Sequence, residues 1–208
     1  TLMAHLKTLG IDGNTLIIFT SDNGSRAQGE GGSNDPCRGT KQETWEGGQR
    51  VPCIMRWPDR IAPGTQSDAV VTSMDFFPTL SNLVDAPIPQ DRIIDGFDIA
   101  ELMTNENAEA PNDTFFYYKQ NALEAVRVGD WKLHFQKAGV AMKELYNLRE
   151  DVGEAVNRYG EFPEIVATLE EKAQVMREDI GDDTSAVVGK NNRPIGRVAN
   201  AKPLTEYR

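Results

Sequence analysis

Residues 15–20, Thr-Leu-Ile-Ile-Phe-Thr, constrain this chain more than any other stretch. The run is short, continuously apolar and rich in β-branched residues, the pattern of a strand buried on both faces, as in a parallel sheet. A helical repeat precedes it: Leu2, Met3, Leu6 and Leu9 recur at helical spacing, and Gly10 and Gly13 end the run. Helix, short connection, buried strand is the αβ half of a βαβ unit. A domain rarely starts inside an element, so the opening helix reads as the continuation of a longer chain. The strand then runs into Ser21–Arg50, a stretch dense in Gly, Ser, Asn, Asp and Thr. A loop that long without periodicity is either functional or disordered.

Further along, Val51–Trp57 reads as a second strand, with Pro52 at its start and Pro58 at its stop. Asp75 is placed to N-cap a helix carrying Phe76, Phe77, Leu80 and Leu83, with Pro78 tolerated in its first turn. Ile99–Met103 fits one short helix. Composition turns polar over Asn105–Asp113, and the period then changes. Phe115–Tyr118, Leu123–Val128, Trp131–Phe135 and Glu144–Leu148 are short strands, two of them joined at Gly129-Asp130. Glu161–Ile180 is the clearest helix, with Ile165, Val166, Leu169, Ala173, Met176 and Ile180 on one stripe, Pro163 near its start and Gly181 at its end. Asp182–Arg208 reads as a polar, extended tail. The expected organisation is therefore α/β over 1–108, then a subdomain over 109–208 with an antiparallel sheet, helix 161–180 and the tail.

Composition removes several classes. Net charge is −10, which disfavours nucleic acid and anionic lipid as partners. No run of 18 apolar residues occurs, so no membrane-spanning helix is expected. Cys37 and Cys53 do not make a disulfide framework; they read as a small loop residue and a buried strand thiol. His5 and His134 read as structural residues, His134 lying in a strand between Leu133 and Phe135.

Two places carry the means for chemistry. Asp22 and Asn23 follow the buried strand directly, and in parallel sheets ligands bind outside the carboxyl ends of strands. Both offer oxygens, which suits a hard cation such as Ca²⁺ or Mg²⁺. Asp-Asn-Gly is equally an ordinary turn sequence. Ca²⁺ takes about 6–8 oxygens, so most ligands of any metal here come from elsewhere. Lys41, in Arg38-Gly39-Thr40-Lys41, is a point charge suited to an oxyanion, or a solvated loop lysine.

At this point the chain resembles a known family. T-L-I-I-F-T-S-D-N-G, a Gly-rich loop, then K-x-x-x-W-E-G-G-x-R-V-P and a strand resemble the type I, formylglycine-dependent sulfatases. V-V-T-S-M-D-F-F-P-T-L-S-N-L-V is similar to the family's D-x-x-P-T helix, and D-G-F-D-I to its D-G-x-D/S-L segment. A-V-R-V-G-D-W-K-L-H-F and E-L-Y-N-L-R-E-D-V-G-E are similar to its C-terminal strands and the turn after them. The resemblance implies part of an alkaline-phosphatase-like sandwich with a small C-terminal sheet-plus-helix subdomain. It implies that Asp22 and Asn23 are metal ligands, with Ca²⁺ preferred to Mg²⁺, and that Lys41 contacts the substrate sulfate. Glu46, Gly47, Gly48 and Arg50 match the motif and read as loop scaffolding. Gln42 and Glu43 depart from the pattern, where small residues are frequent, and Glu43 either weakens anion binding or points away.

The family nucleophile is a formylglycine made within C/S-x-P-S/A-R. Cys37 is followed by Arg38-Gly39 and Cys53 by Ile54-Met55, so neither fits. The formylglycine is expected upstream, with further Asp, Lys, Arg and His residues of the site. The chain is thus similar to the C-terminal part of a sulfatase, a sulfuric ester hydrolase acting on aryl or carbohydrate sulfates, and inactive by itself. The resemblance also implies a periplasmic, secreted or lysosomal protein. A phosphodiesterase or phosphonate hydrolase of the same superfold, and a non-catalytic remnant or binding module, are the alternatives.

Overall fold

The computed structural model describes residues 1–27, 29 and 31–202. Residues 203–208 of the expected tail, Arg208 among them, lie outside the described residues. Helix α1 (Leu2–Thr8) is capped by the Thr1 side chain, which accepts from the Ala4 N–H. It leads through Gly10, at φ +69°, into strand β1 (Ile17–Thr20). The helix α2 (Glu46–Gln49) is a single buried turn, and strand β2 (Cys53–Arg56) follows it. Helices α3 (Phe76–Leu83) and α4 (Ala100–Thr104) complete this half.

Strand β1 departs from the expectation. It pairs antiparallel with β2, in the register Phe19↔Ile54, and Phe19 and Ile54 are 66% and 61% exposed. Cys53, expected to be buried, is exposed on the same ribbon, and both cysteines are free. The run is apolar enough for a two-sided core position, but these residues bring only one neighbouring strand to it. Asp75 also acts differently from a simple cap. Its carboxylate accepts from the N–H and hydroxyl of Thr72 and from the N–H of Phe97, at 2.6, 3.1 and 2.8 Å, tying the start of α3 to the Asp-Gly-Phe-Asp segment.

The second half follows the alternation in its sequence. Strands β3 (Thr114–Lys119), β4 (Ala122–Val128), β5 (Trp131–Lys137) and β6 (Val140–Asn147) form an antiparallel sheet in chain order. The β4–β5 hairpin turns at Gly129-Asp130, with Gly129 at φ +55° and Val128 paired to Trp131. Helix α5 (Pro163–Ile180) packs Val166, Leu169 and Ala173 onto Leu123, Val126, Leu133 and Leu145. The larger of these fully buried side chains each contribute roughly 1.5–3 kcal/mol, so the sheet and α5 form the stable centre of the chain. Along β5 the residues alternate. Trp131, Leu133 and Phe135 join the cluster under α5, and Lys132, His134 and Gln136 face the other way and are buried too. The loop before α2 covers Lys132 and His134, and Gln136 is held instead by the Thr184 hydroxyl and the Gly139 N–H.

Candidate active site

The site begins where β1 ends. Because β2 runs antiparallel to β1, its entry residues Val51 and Pro52 lie beside Ser21-Asp22-Asn23. The loop from Ser25 returns over the same end, leaving an open depression of about 890 Å³. Asp22, Asn23 and Lys41 all line it, with Arg26, Asn34 and Arg50. The three residues singled out in the sequence are thus brought to one surface. The sequence reading missed Asn34, which organises the loop. Its Oδ1 accepts from Ser25 N–H at 2.7 Å, and its Nδ2 donates to the carbonyls of Ser25 and Gly39 at 2.7 and 3.0 Å. The Lys41 N–H donates to the Ser25 carbonyl at 3.1 Å, so Lys41 is stitched to the residue that follows the Asp22-Asn23-Gly24 turn.

Gln42 and Glu43 acquire physical explanations. Gln42 takes φ +75°, a left-handed conformation that favours small residues. The Glu43 carboxylate accepts from the N–H and hydroxyl of Thr40, at 2.7 and 3.2 Å. It is therefore committed to the turn and not to the Lys41 ammonium.

Helix α2 connects this depression to the sheet. On one side the Gly24 N–H donates to the Gly48 carbonyl at 3.0 Å, and a Cβ on Gly24 would lie 1.8 Å from the Gly47 carbonyl oxygen. On the other side Glu46, 2% exposed, accepts from Lys132 Nζ and the Tyr117 hydroxyl, both at 2.8 Å, and from Arg50 Nε at 3.1 Å. Burial pushes its carboxyl up, but Lys132 and these other partners outweigh burial and pull it down to about 2. Lys132 Nζ also donates to the Thr44 carbonyl at 2.8 Å and lies 3.0 Å from Glu154 Oε1. Glu154 accepts the Glu46 N–H at 2.7 Å, and His134 Nε2 lies 2.7 Å from its other oxygen. Burial holds the His134 ring neutral and raises the Glu154 carboxyl. Trp45 lies against the Arg38 guanidinium, at 3.8 Å, and against the tilted His134 ring, at 4.4 Å. Nothing in the local sequence announces these contacts except that Glu46 and Glu154 fall within motifs.

As a metal site the depression is partial. Asp22 and Asn23 supply oxygen donors of the kind hard cations take. Among the described residues, no group of three or more His, Cys, Asp or Glu gathers as a metal site.

The described folding units, an α/β segment followed by a four-stranded sheet with one helix, match part of the alkaline-phosphatase-like fold of solved sulfatases. The chain superimposes on the crystal structure of PsFucS1 sulfatase from Pseudoalteromonas sp. with a TM-score of 0.77 and 26% identity, over 84% of this chain and 39% of that one. The sulfatase family model matches residues 1–86, and the model for the C-terminal region of aryl-sulfatase matches residues 110–200. The chain belongs to the sulfatase family. It is 41% identical over 149 residues to an arylsulfatase of Hemicentrotus pulcherrimus, covering 71% of this chain and 27% of that protein. It is 43% identical over 136 residues to the N-acetylgalactosamine-6-sulfatase of Mus musculus, covering 64% of this chain and 26% of that protein. The chain therefore spans about a quarter of the length of these curated relatives.

Proposed function

We propose that these residues form one wall of the active site of a sulfuric ester hydrolase whose nucleophile comes from outside them. The observation that carries the reading is the convergence of Asp22, Asn23 and Lys41 on a single depression at the end of β1. In this reading Asp22 and Asn23 are two of several ligands to a divalent cation, Ca²⁺ in preference to Mg²⁺. Such an ion, when bound, polarises a sulfate oxygen and lowers the pKa of the nucleophile. Lys41 holds its ammonium against the sulfate and offsets the charge that gathers on the transferring group. The acidic balance of the chain does not oppose this, because exposed charges are screened beyond about 8–10 Å. The nucleophile is a formylglycine supplied upstream. The substrate is an aryl or carbohydrate sulfate, and the protein works in an exported or lysosomal compartment. No helix among the described residues is long and apolar enough to cross a membrane.

The test is turnover of 4-nitrophenyl sulfate by the complete protein in Ca²⁺. Lys41→Ala is expected to lower kcat/KM by roughly 10²–10³-fold, the loss typical of a single transition-state donor. The 208-residue chain alone is expected to give no turnover. Hydrolysis by that chain above a Lys41→Ala control, or an unaffected Lys41→Ala enzyme, would overturn the reading.

A further inference from the structure

Five charged or aromatic groups meet beneath α2, outside the depression, and the proposed chemistry uses none of them. They are Glu46, Lys132, Glu154, His134 and Tyr117, each no more than 4% exposed. Burying charge this completely is costly unless every group is matched, and here the matching is spent on one short segment. Lys132 takes the Thr44 carbonyl and the Glu46 carboxylate; Glu154 takes the Glu46 N–H. Lys137 and Glu124 both engage the Thr44 hydroxyl. Glu154 reaches its partners from φ +51°, a conformation a non-glycine residue keeps only where its surroundings impose it.

The segment so gripped, Thr44-Trp45-Glu46, is three residues past Lys41. Its continuation, Gly47-Gly48, is the surface on which the Asp22-Asn23-Gly24 turn rests. The Gly24–Gly48 hydrogen bond and the absence of room for a Cβ fix that seat. A shift of α2 therefore acts on Lys41 and the Asp22-Asn23 turn together, against the ties that Lys41 and Asn34 make to Ser25.

We propose that Lys132, on the polar face of the C-terminal sheet, is a positioning residue for this reaction: by clamping Glu46 and the Thr44 carbonyl, it sets the spacing between Lys41 and the Asp22-Asn23 turn. The proposal rests on the functional reading above and adds that the C-terminal sheet sets the geometry of the active-site wall. The charge itself is not what catalysis needs; the clamp is.

The experiment uses the complete protein with two alterations. Lys132→Met with Glu46→Gln removes one buried charge of each sign, and the Glu154 carboxyl that also faces Lys132 keeps the Glu46 N–H and His134 Nε2 within hydrogen-bond distance, which limits the cost of the change. Tyr117→Phe removes only one bond to Glu46 and serves as the mild case. Each is measured for thermal unfolding, for kcat and KM on 4-nitrophenyl sulfate, and for amide hydrogen exchange by mass spectrometry. The double variant is expected to unfold near the wild-type temperature while kcat falls by roughly 10–100-fold, as expected for an ångström-scale misplacement. KM is expected to change by less than about threefold, because the clamp does not touch substrate. Tyr117→Phe is expected to lower kcat in the same sense by roughly threefold. Exchange is expected to quicken over residues 21–25 and 40–48 and to stay unchanged in α5. Wild-type kcat in the double variant, or unchanged exchange over those two segments, overturns the proposal. The exchange arm reads the clamp without turnover. If the wild-type protein does not hydrolyse the sulfate ester, the functional reading fails while the clamp is still judged.

Discussion

Replacing Gly24 by Ala asks whether the proposed active-site wall is built on a backbone contact. The added Cβ would sit 1.8 Å from the Gly47 carbonyl oxygen and 3.2 Å from the Gly48 Cα, where ordinary contact begins at 3.4 Å. The carbonyl must retreat by about 1.6 Å, and neither glycine has a side chain that can yield instead. Retreat breaks the 3.0 Å Gly24–Gly48 hydrogen bond, a net loss of about 1 kcal/mol. Forced overpacking adds about 1–3 kcal/mol, so the expected destabilisation is roughly 2–4 kcal/mol. For a chain of this size that lowers the midpoint of unfolding by roughly 4–16 °C. Because the retreat separates the Asp22-Asn23 turn from the Lys41 loop, kcat of the complete enzyme is expected to fall by about 10²-fold. Gly160→Ala is the control: nothing lies within 4 Å of its Cβ position, and the change is expected to be neutral or stabilising by no more than about 1 kcal/mol. Circular dichroism melts and turnover of 4-nitrophenyl sulfate read both. A Gly24→Ala protein melting within about 2 °C of wild type, with kcat intact, refutes the argument that the two segments are seated on one another.

Two further outcomes are expected. The folded-state pKa of Glu46 is lowered from 4.5 to about 2, so its contribution is complete above about pH 4.5 and is lost as pH falls toward 2. The amount is on the order of 3 kcal/mol, and urea unfolding between pH 7 and pH 3 should show a decline that Glu46→Gln flattens; an equal decline in both proteins would contradict it. The exposed cross-strand pair Phe19 and Ile54 makes the β1–β2 ribbon an adhesive edge. Phe19→Thr with Ile54→Thr in the 208-residue chain should reduce self-association in light scattering without lowering the melting temperature, and unchanged scattering would count against that assignment.

The parts of this fold that could be read from sequence are those whose information is local. Strands β3–β6 are visible because short β-branched and aromatic runs are separated by turn residues such as Gly129-Asp130, and α5 because Val166, Leu169 and Ala173 repeat at helical spacing and are the residues it buries. Asp22 and Asn23 could be singled out because they follow a strand end, and Lys41 because it sits in a glycine-bearing motif. The β1 reading fell short for a physical reason: a two-sided apolar strand states what it is suited to bury, but not which strands come to it. The clamp under α2 was illegible for a different reason. In Trp-Lys-Leu-His-Phe-Gln-Lys, polar residues alternating with apolar ones ordinarily mean one face on a core and one in water. Here Lys132 and His134 are 0% exposed, because a segment 86 residues earlier in the chain lays Thr44-Trp45-Glu46 over that face. Alternation tells which residues share a face, and it is silent about whether the polar face is wet. The cue that separates the two cases lies at the far end of the contact, where Glu46 sits buried between Trp45 and a pair of glycines. An acid in so small and dry a setting requires a cation from elsewhere in the chain, and a lysine on the polar side of a nearby sheet meets that requirement. Lys132 and His134, at alternate positions of β5, thus meet the loop before α2 in place of the solvent.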